Sequence, residues 1–251
     1  MRLAQITDLH ARRHLPGSSD SARRRSREAF DRLPRTLADL AKLEIDLLAL
    51  TGDLLDVPDG VESEPAWQAA AEADYGLLRA MLEAAGLTWL ELPGNHDWQP
   101  AMRRVFGDRP RTLSLGGYRV VSFWDCEGPG HVPFRPPAER QRFDRALARP
   151  QPQVHLQHYL IAPDLPDAGW PYNYAEAAEL RAAMAAGGQV SLCLAGHYHD
   201  GTDLLRDGPT TFAVGPAYAH APHPARIYCD SGGGVWSVTA LDLAGSGKLA
   251  G

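Results

Sequence analysis

Short apolar runs recur along this chain, and several end abruptly in residues that bind protons or metals. Residues 2–7 predict a first strand. Residues 45–50 are nearly all apolar, as a central strand covered on both faces must be. Residues 87–92 predict a third strand, broken off by Pro93 and Gly94, and residues 153–157 and 190–195 predict two more. Helical patterns lie between them. Phe30, Leu33, Leu37, Leu40 and Leu43 recur at the helical period, which predicts a helix from a cap at Ser18, Ser19 or Asp20 to about Lys42. Pro34 should bend that helix or split it in two. Pro65 suits the first position of a helix reaching about Ala85. Further helices are predicted over 100–107, 137–148 and 174–186, the last closed by Gly187 and Gly188.

Residues 113–124 read as a hairpin around Gly116 and Gly117. Residues 125–137 and 162–173 read as loops. Beyond residue 200 the pattern is purely β, with strands near 202–206, 210–214, 226–229 and 235–241. An alternating first half followed by hairpins predicts an α/β fold: two mixed β-sheets packed face to face with helices outside both. We expect one domain over 1–243 and a tail over 244–251 that frays.

Composition narrows the function classes. The chain has 251 residues, 44% of them apolar, enough for one large α/β domain. No apolar run approaches a membrane span, and Met1-Arg2 leads directly into a strand rather than a secretory pattern. The net charge of −6 argues against wholesale nucleic-acid binding. Cys126, Cys193 and Cys229 are odd in number and widely spaced, so they read as reduced core residues of a cytoplasmic protein.

The strand ends carry the chemistry. Five segments follow apolar runs: Asp8-Leu9-His10, Gly52-Asp53-Leu54-Leu55-Asp56, Gly94-Asn95-His96-Asp97, His158, and Gly196-His197-Tyr198-His199. In α/β folds ligands sit beyond the carboxyl ends of strands. In an extended segment side chains at i and i+2 point the same way, so Asp8 with His10, and His197 with His199, form two pincers. Asp53 can bridge two cations. The ligands divide into Asp8, His10, Asp53 and His199 for one ion, and Asp53, Asn95, His158 and His197 for the other. Imidazole with carboxylate suits Mn, Fe, Zn or Co better than Mg or Ca. Two carboxylates against two divalent ions leave a positive cluster, even with a bridging hydroxide, that attracts phosphate. His96 is left over as a proton donor to a leaving alkoxide, with Asp97 to orient it.

Together these segments resemble the calcineurin-like metallophosphoesterases, whose signature is DxH, GDxxD, GNHD, a lone His and GHxH. All five stand here in order between positions 8 and 199. The resemblance implies a four-layer αββα sandwich, a dinuclear site with the ligands above, and His96 as the acid or phosphate-contacting residue. The lone-His motif, often followed by His or Pro, reads Gln157-His158-Tyr159-Leu160, so the wall beside that ligand differs. The expected activity is hydrolysis of a small phosphoester by a metal-bridging hydroxide. Phosphodiesters of nucleotide or cyclic nucleotide type are preferred over phosphomonoesters. A non-catalytic scaffold of the same fold and a DNA nuclease are the competing classes. Intact ligands weigh against the first, and a short acidic chain weighs against the second.

Other residues carry two readings each. Asp56 is either an orienter of a ligand or a helix-start residue, and Asp200 reads as a turn residue. His155 reads as packing or as support for a ligand. His131, His220 and His223, in loops rich in Pro, read as exposed loop histidines, with one of them lining the pocket as the alternative. The basic run Arg12, Arg13, Arg23, Arg24, Arg25 and Arg27 reads as a solvated helix face, with a grip on a polyanion as the alternative. Trp98, Trp170, Tyr172 and Tyr174 either pin loops to the body or stack on a base or an aromatic leaving group.

Overall fold

The computed structural model describes residues 1–61, 63–107, 109–165, 169–220, 225–241 and 249–250. His223 and most of the tail expected over 244–251 lie outside these. The first half alternates: β1 (Arg2–Ile6), α1 (Ala29–Lys42), β2 (Leu47–Thr51), α2 (Pro65–Ala85), β3 (Trp89–Leu92) and α3 (Gln99–Phe106). A hairpin of β4 (Thr112–Leu115) and β5 (Tyr118–Ser122) follows, then a ribbon of β6 (Cys126–Glu127) and β7 (Pro133–Phe134). Next come α4 (Pro137–Leu147), β8 (Gln153–Leu156), α5 (Ala177–Gly187) and β9 (Val190–Ala195). The chain ends in β10 (Leu205–Asp207), β11 (Thr210–Val214), β12 (Arg226–Asp230), β13 (Trp236–Leu241) and β14 (Leu249–Ala250).

Two six-stranded sheets result, ordered β14-β13-β12-β1-β2-β3 and β10-β11-β9-β8-β5-β4. The first is parallel over β1-β2-β3 and antiparallel from β1 out to β14, and the second has a parallel centre with an antiparallel strand at each edge. Strand alternation in the second sheet shows how the layers stack. Val154, Leu156, Leu192, Leu194 and Ala213 join one core with Leu3, Ile6, Leu48 and Leu50 of the first sheet. Val121, Cys193 and Phe212 face the other way, onto Phe143 of α4 and Leu180 and Met184 of α5. Leu33, Leu37, Leu78 and Leu82 bring α1 and α2 onto the first sheet. The expected sandwich of two mixed sheets with helices outside is the fold observed.

Several boundaries differ from the sequence pattern. α1 starts at Ala29, after a 3₁₀ turn over Ser26–Glu28, and Ser18, Ser19 and Asp20 cap nothing in it. The segment before it stays irregular because side chains satisfy its backbone. Asp74 accepts the backbone N–H groups of Arg13, His14 and Leu15, and Arg27 donates to the carbonyls of Arg13, Leu15 and Gly17. Pro34 neither splits α1 nor ends it; burial of Phe30, Leu33, Leu37 and Leu40 around it outweighs one lost hydrogen bond. α5 begins three residues late, and the loop at 125–137 holds a ribbon. Only Cys193 of the three free thiols is buried; Cys126 and Cys229 are half-buried.

One buried carboxyl gives a pH-dependent stability. Glu91 on β3 is 5% exposed, and its Oε2 has no hydrogen-bond partner among the described residues, with Arg109 Nε 3.6 Å away. Burial pushes its pKa from 4.5 up to about 7, against the pull of Arg109. A raised carboxyl pKa contributes stability that is fully present below about 4.5 and lost as pH rises through about 7. Glu91→Gln should therefore stabilise the fold at pH 8 by up to about 3 kcal/mol and by almost nothing at pH 4. Urea melts at the two pH values measure this; an equal gain at both would mean the carboxyl is not the cause.

Candidate functional site

Five strand ends reach one place. Asp8 and His10 follow β1, Asp53 follows β2, Asn95 and His96 follow β3, His158 follows β8, and His197 and His199 follow β9. The first three strands belong to one sheet and the last two to the other, so the site lies over the seam between them.

The local backbone is strained where these residues sit. Asp8, His10, Asp53 and His197 have φ of 51°, 44°, 49° and 69°, a region L-residues rarely adopt. The extended pincers expected for Asp8-His10 and His197-His199 are therefore not what forms; left-handed turns aim these side chains instead. Glycines make the approach possible. A Cβ on Gly94 would lie 2.2 Å from Asp53 Oδ1, and one on Gly52 would lie 2.3 Å from His158 Nδ1. Gly94→Ala should accordingly displace Asp53 and lower metal content, which elemental analysis of the folded variant checks.

Three groups of possible ligand atoms converge: two share Asp53, and a third, His10 with Asp56 and His96, adjoins the first through His10. Of the two that share Asp53, the first is Asp8, His10, Asp53 and His199, and the second is Asp53, His158 and His197. In the first, His10 Nε2 is 3.1 Å from His199 Nε2 and 3.5 Å from Asp53 Oδ2, and His199 Nε2 is 3.3 Å from Asp8 Oδ1. In the second, His158 Nε2 is 3.5 Å from Asp53 Oδ2 and 3.2 Å from Asn95 Oδ1. Two imidazole nitrogens facing each other across 3.1 Å, beside carboxylates, suit a shared cation. Residues and family reading fit on this point.

Neighbouring groups fix the rings. His158 Nδ1 donates to the Thr51 carbonyl at 2.8 Å, which turns its Nε2 lone pair to the site. His10 Nδ1 lies 3.4 Å from Asp56, and His199 Nδ1 lies 3.2 Å from His220 Nε2. Burial disfavours the Asp53 carboxylate, yet His158, His96 and His10 together hold its pKa well below the usual range. Burial likewise opposes the His158 imidazolium, but Asp53 prevails and lifts its pKa to about 10. The negative charge that keeps a proton on His158 is the charge a cation satisfies. His10 and His197 respond to burial first and drop to about 4 and about 3, so both are neutral donors at pH 7.

His96 stands apart from the two sets that share Asp53. Its Nδ1 is 3.3 Å from Asp56 Oδ1, and its backbone N–H donates to Asp53 Oδ1 at 2.8 Å. Burial opposes its charged form, but Asp53 and Asp56 raise its pKa. Asp97 does not orient it. The Asp97 carboxylate accepts from the backbone N–H groups of Leu54, Leu55 and Gly94 and from the Tyr75 hydroxyl, and so ties the β2 and β3 loops together. Asp56 takes the orienting place, bonded by Arg12 at 2.8 Å and Arg24 at 3.3 Å; it starts no helix.

A cavity of about 500 Å³ opens over Asp53, Asn95, His96, His197 and His199. Its walls include Arg23, Arg24, His131, Trp170, Tyr172 and His220. Trp170 is 41% exposed with its ring 4.7 Å from that of His131, and Tyr172 meets His197 edge-on. His131 and His220 thus line the cavity rather than an unrelated loop. No strand or helix period marks them; their only sequence signal is an imidazole in a Pro-rich loop. Trp98 does not line it. It lies under Arg104 and packs on the core. Arg12 is buried on Asp56, Tyr174 is buried in a network with Asp125, and His155 packs between Phe123 and Phe143. The basic run is mostly committed: Arg13 pairs with Asp31, Arg23 with Asp200, Arg24 with Asp20 and Asp56, and Arg25 with Glu28.

Residues 1–201 match the family model described as calcineurin-like phosphoesterase. The chain belongs to that family. This phosphoesterase is a hydrolase of phosphate esters, and the family together with the two ligand sets indicates a dinuclear divalent-metal site. Among solved structures it is similar to a dimetal phosphatase from Danio rerio, at 13% identity and a TM-score of 0.70, over 90% of this chain and 91% of that one. It is also similar to a putative 5′-nucleotidase from Staphylococcus aureus, at 13% identity and a TM-score of 0.54, over 95% of this chain and 52% of that one. The inner membrane complex anchor of Plasmodium shares the fold at 10% identity and a TM-score of 0.55, over 96% of this chain and 84% of that one. At these identities the likeness speaks for the fold. No curated protein sequence matches the chain. Among the described residues no helix is long and apolar enough to cross a membrane.

Proposed function

We propose that this phosphoesterase holds two transition-type ions, Mn, Fe, Zn or Co, and hydrolyses small phosphodiesters of nucleotide type. The observation that carries the reading is the sharing of Asp53 between two ligand sets under one cavity. When bound, such ions supply a nucleophilic hydroxide at neutral pH and positive charge for the phosphoryl oxygens. The chain's residues do the rest. Asp8, His10, Asp53 and His199 hold one ion; Asp53, Asn95, His158 and His197 hold the other. His96, whose charged form Asp53 and Asp56 favour, donates to the leaving oxygen. Support for a diester comes from the cavity's mixed lining, aromatic at Trp170 and Tyr172 and basic at Arg23 and Arg24. A diester has a substituent for Trp170 and Tyr172 and another for the Arg23 side, whereas a monoester fills one. Three unpaired thiols support a cytoplasmic setting.

A screen of matched nitrophenyl diesters and monoesters with Mn, Fe, Zn, Co and Mg tests this. A higher kcat/KM on the monoester with every metal would assign a phosphomonoesterase of the same mechanism. Trp170→Ala should raise KM for a nucleoside diester about 5- to 160-fold, since one stacked base is worth ~1–3 kcal/mol, and leave a methyl diester unaffected. His96→Asn should keep both metals and lose on the order of 10²–10⁴ in rate on a nucleoside ester. Its loss on a nitrophenyl ester should be much smaller, because that leaving group scarcely needs a proton. An equal loss on both, measured as kcat/KM across leaving groups, would assign His96 to charge stabilisation.

A further inference from the structure

Of the four candidate ligand imidazoles, His158 Nδ1 bonds the Thr51 carbonyl and His199 Nδ1 faces His220 at 3.2 Å, while His10 Nδ1, buried without a hydrogen bond, still faces the Asp56 carboxylate at 3.4 Å. His197 Nε2 has no polar group within hydrogen-bond range among the described residues. It is fully buried, and the rings of His158, Tyr159 and Tyr172 surround it edge-on. Opposite Nε2, at 3.9 Å, lies Glu127 Oε1, which is also fully buried without a partner among the described residues. The other carboxylate oxygen is held by His131 Nδ1 at 3.1 Å. Glu127 sits on β6, in the short ribbon, and none of the five motifs includes it.

Two orphaned buried atoms of matching type, face to face, each carry a cost that a hydrogen bond between them removes. A metal-binding imidazole typically donates its remote N–H to a carboxylate or carbonyl, which fixes the tautomer and raises ligand basicity. We propose that Glu127 is the positioning residue for His197, accepting its Nε2–H and leaving Nδ1 as the nitrogen offered to the second ion. The proposal rests on the two-ion reading above. Through His131, which stacks on Trp170 at the cavity wall, the same carboxylate ties the second ligand set to the substrate side of the site. The ribbon is thus part of the metal centre's support rather than a loop beside it.

The test is calorimetric titration of Mn²⁺ into the full chain, paired with the visible spectrum of the cobalt-loaded protein. For wild type we expect two ions. Glu127→Ala should weaken the second ion on the order of 10- to 100-fold, leave the first unchanged, and shift the cobalt absorption of the second site. Glu127→Gln, which keeps an acceptor oxygen and the side-chain shape, should recover most of the affinity. If Glu127→Ala binds both ions as wild type does, with an unaltered cobalt spectrum and only a lower Tm, the carboxylate merely anchors the ribbon and the proposal fails. Should Glu127→Ala not fold, the Gln variant decides. Affinity and spectrum between those of wild type and a His197→Ala control support the proposal, and identity with that control overturns it. Wild-type protein that binds no second ion overturns the two-ion reading instead, so the two failures are distinguishable.

Discussion

Replacing Asp53 by Asn should empty both ion sites at once, where loss of any other ligand should weaken one. Asp53 is the residue common to both clusters, and its Oδ2 lies 3.5 Å from a ring nitrogen of His10 and of His158. Asparagine keeps the size but removes the charge that offsets two cations and restrains three imidazoles. The activity loss should exceed the ~10²–10³-fold lost with a single oxyanion donor, because all the positive charge over the phosphoryl group goes with the ions. A second effect is local. Asp53 Oδ1 accepts the His96 N–H, so the β3 loop loses a tie and His96 loses its placement. The measurements are elemental analysis of chelator-free protein and kcat/KM with added metal. An Asp53→Asn variant with two ions and full activity would falsify the shared-ligand assignment. His199→Ala serves as contrast, expected to lower occupancy of one site and leave the other filled.

The second large effect concerns stability. Arg135 and Asp125 are both fully buried and joined by two hydrogen bonds of 3.0 and 2.9 Å, behind the second ligand set. Arg135 also donates to Gln157 Oε1 at 3.0 Å, next to His158, and lies 4.1 Å from the Phe123 ring centroid. Burial opposes the guanidinium, but Asp125 and Tyr174 outweigh it and raise its pKa further. Arg135→Met removes the cation and leaves the carboxylate with the Tyr174 hydroxyl alone. Stranding one member of a buried pair costs about 3–5 kcal/mol. For a chain of this length that lowers Tm by roughly 10 °C. Asp125→Leu combined with Arg135→Met should recover much of it, since two apolar groups leave nothing uncompensated. Thermal melts of the single and double variants check this; a single variant within a degree or two of wild type would show that the site rehydrates freely.

The parallel strands and their ends were readable from the chain because both signals are local. Apolar runs covered on two faces look alike wherever they occur, and Asp8, Asp53, Asn95, His158, His197 and His199 stand one to four residues beyond such runs. What the pattern did not reveal depends on partners distant in sequence. The segment before α1 is held open by Asp74 and Arg27, and neither has a local signature. Asp97 is adjacent to His96 along the chain, yet its carboxylate turns to Leu54, Leu55 and Tyr75, while Asp56, 40 positions earlier, faces His96. The histidines at 131 and 220 reach the cavity on loops, where no periodicity reports direction. Even the pincers followed from the wrong backbone: four ligand candidates share positive φ, which no composition rule marks at Asp or His.

Two sheets that hydrogen-bond separately contribute to one ligand cluster, with Asp8, His10, Asp53 and Asn95 from one and His158, His197 and His199 from the other. Ions there would work as rivets through both leaves of the sandwich. Each would add RT ln(1 + [M]/Kd) to the free energy of unfolding, about 2.7 kcal/mol at a hundredfold excess over Kd. The melting point then becomes a gauge of free metal, flat below Kd and rising with its logarithm once the fasteners are filled. A chelated sample should come apart along the junction first, with amide exchange quickening at the carboxyl ends of β1, β2, β8 and β9 before the helices loosen.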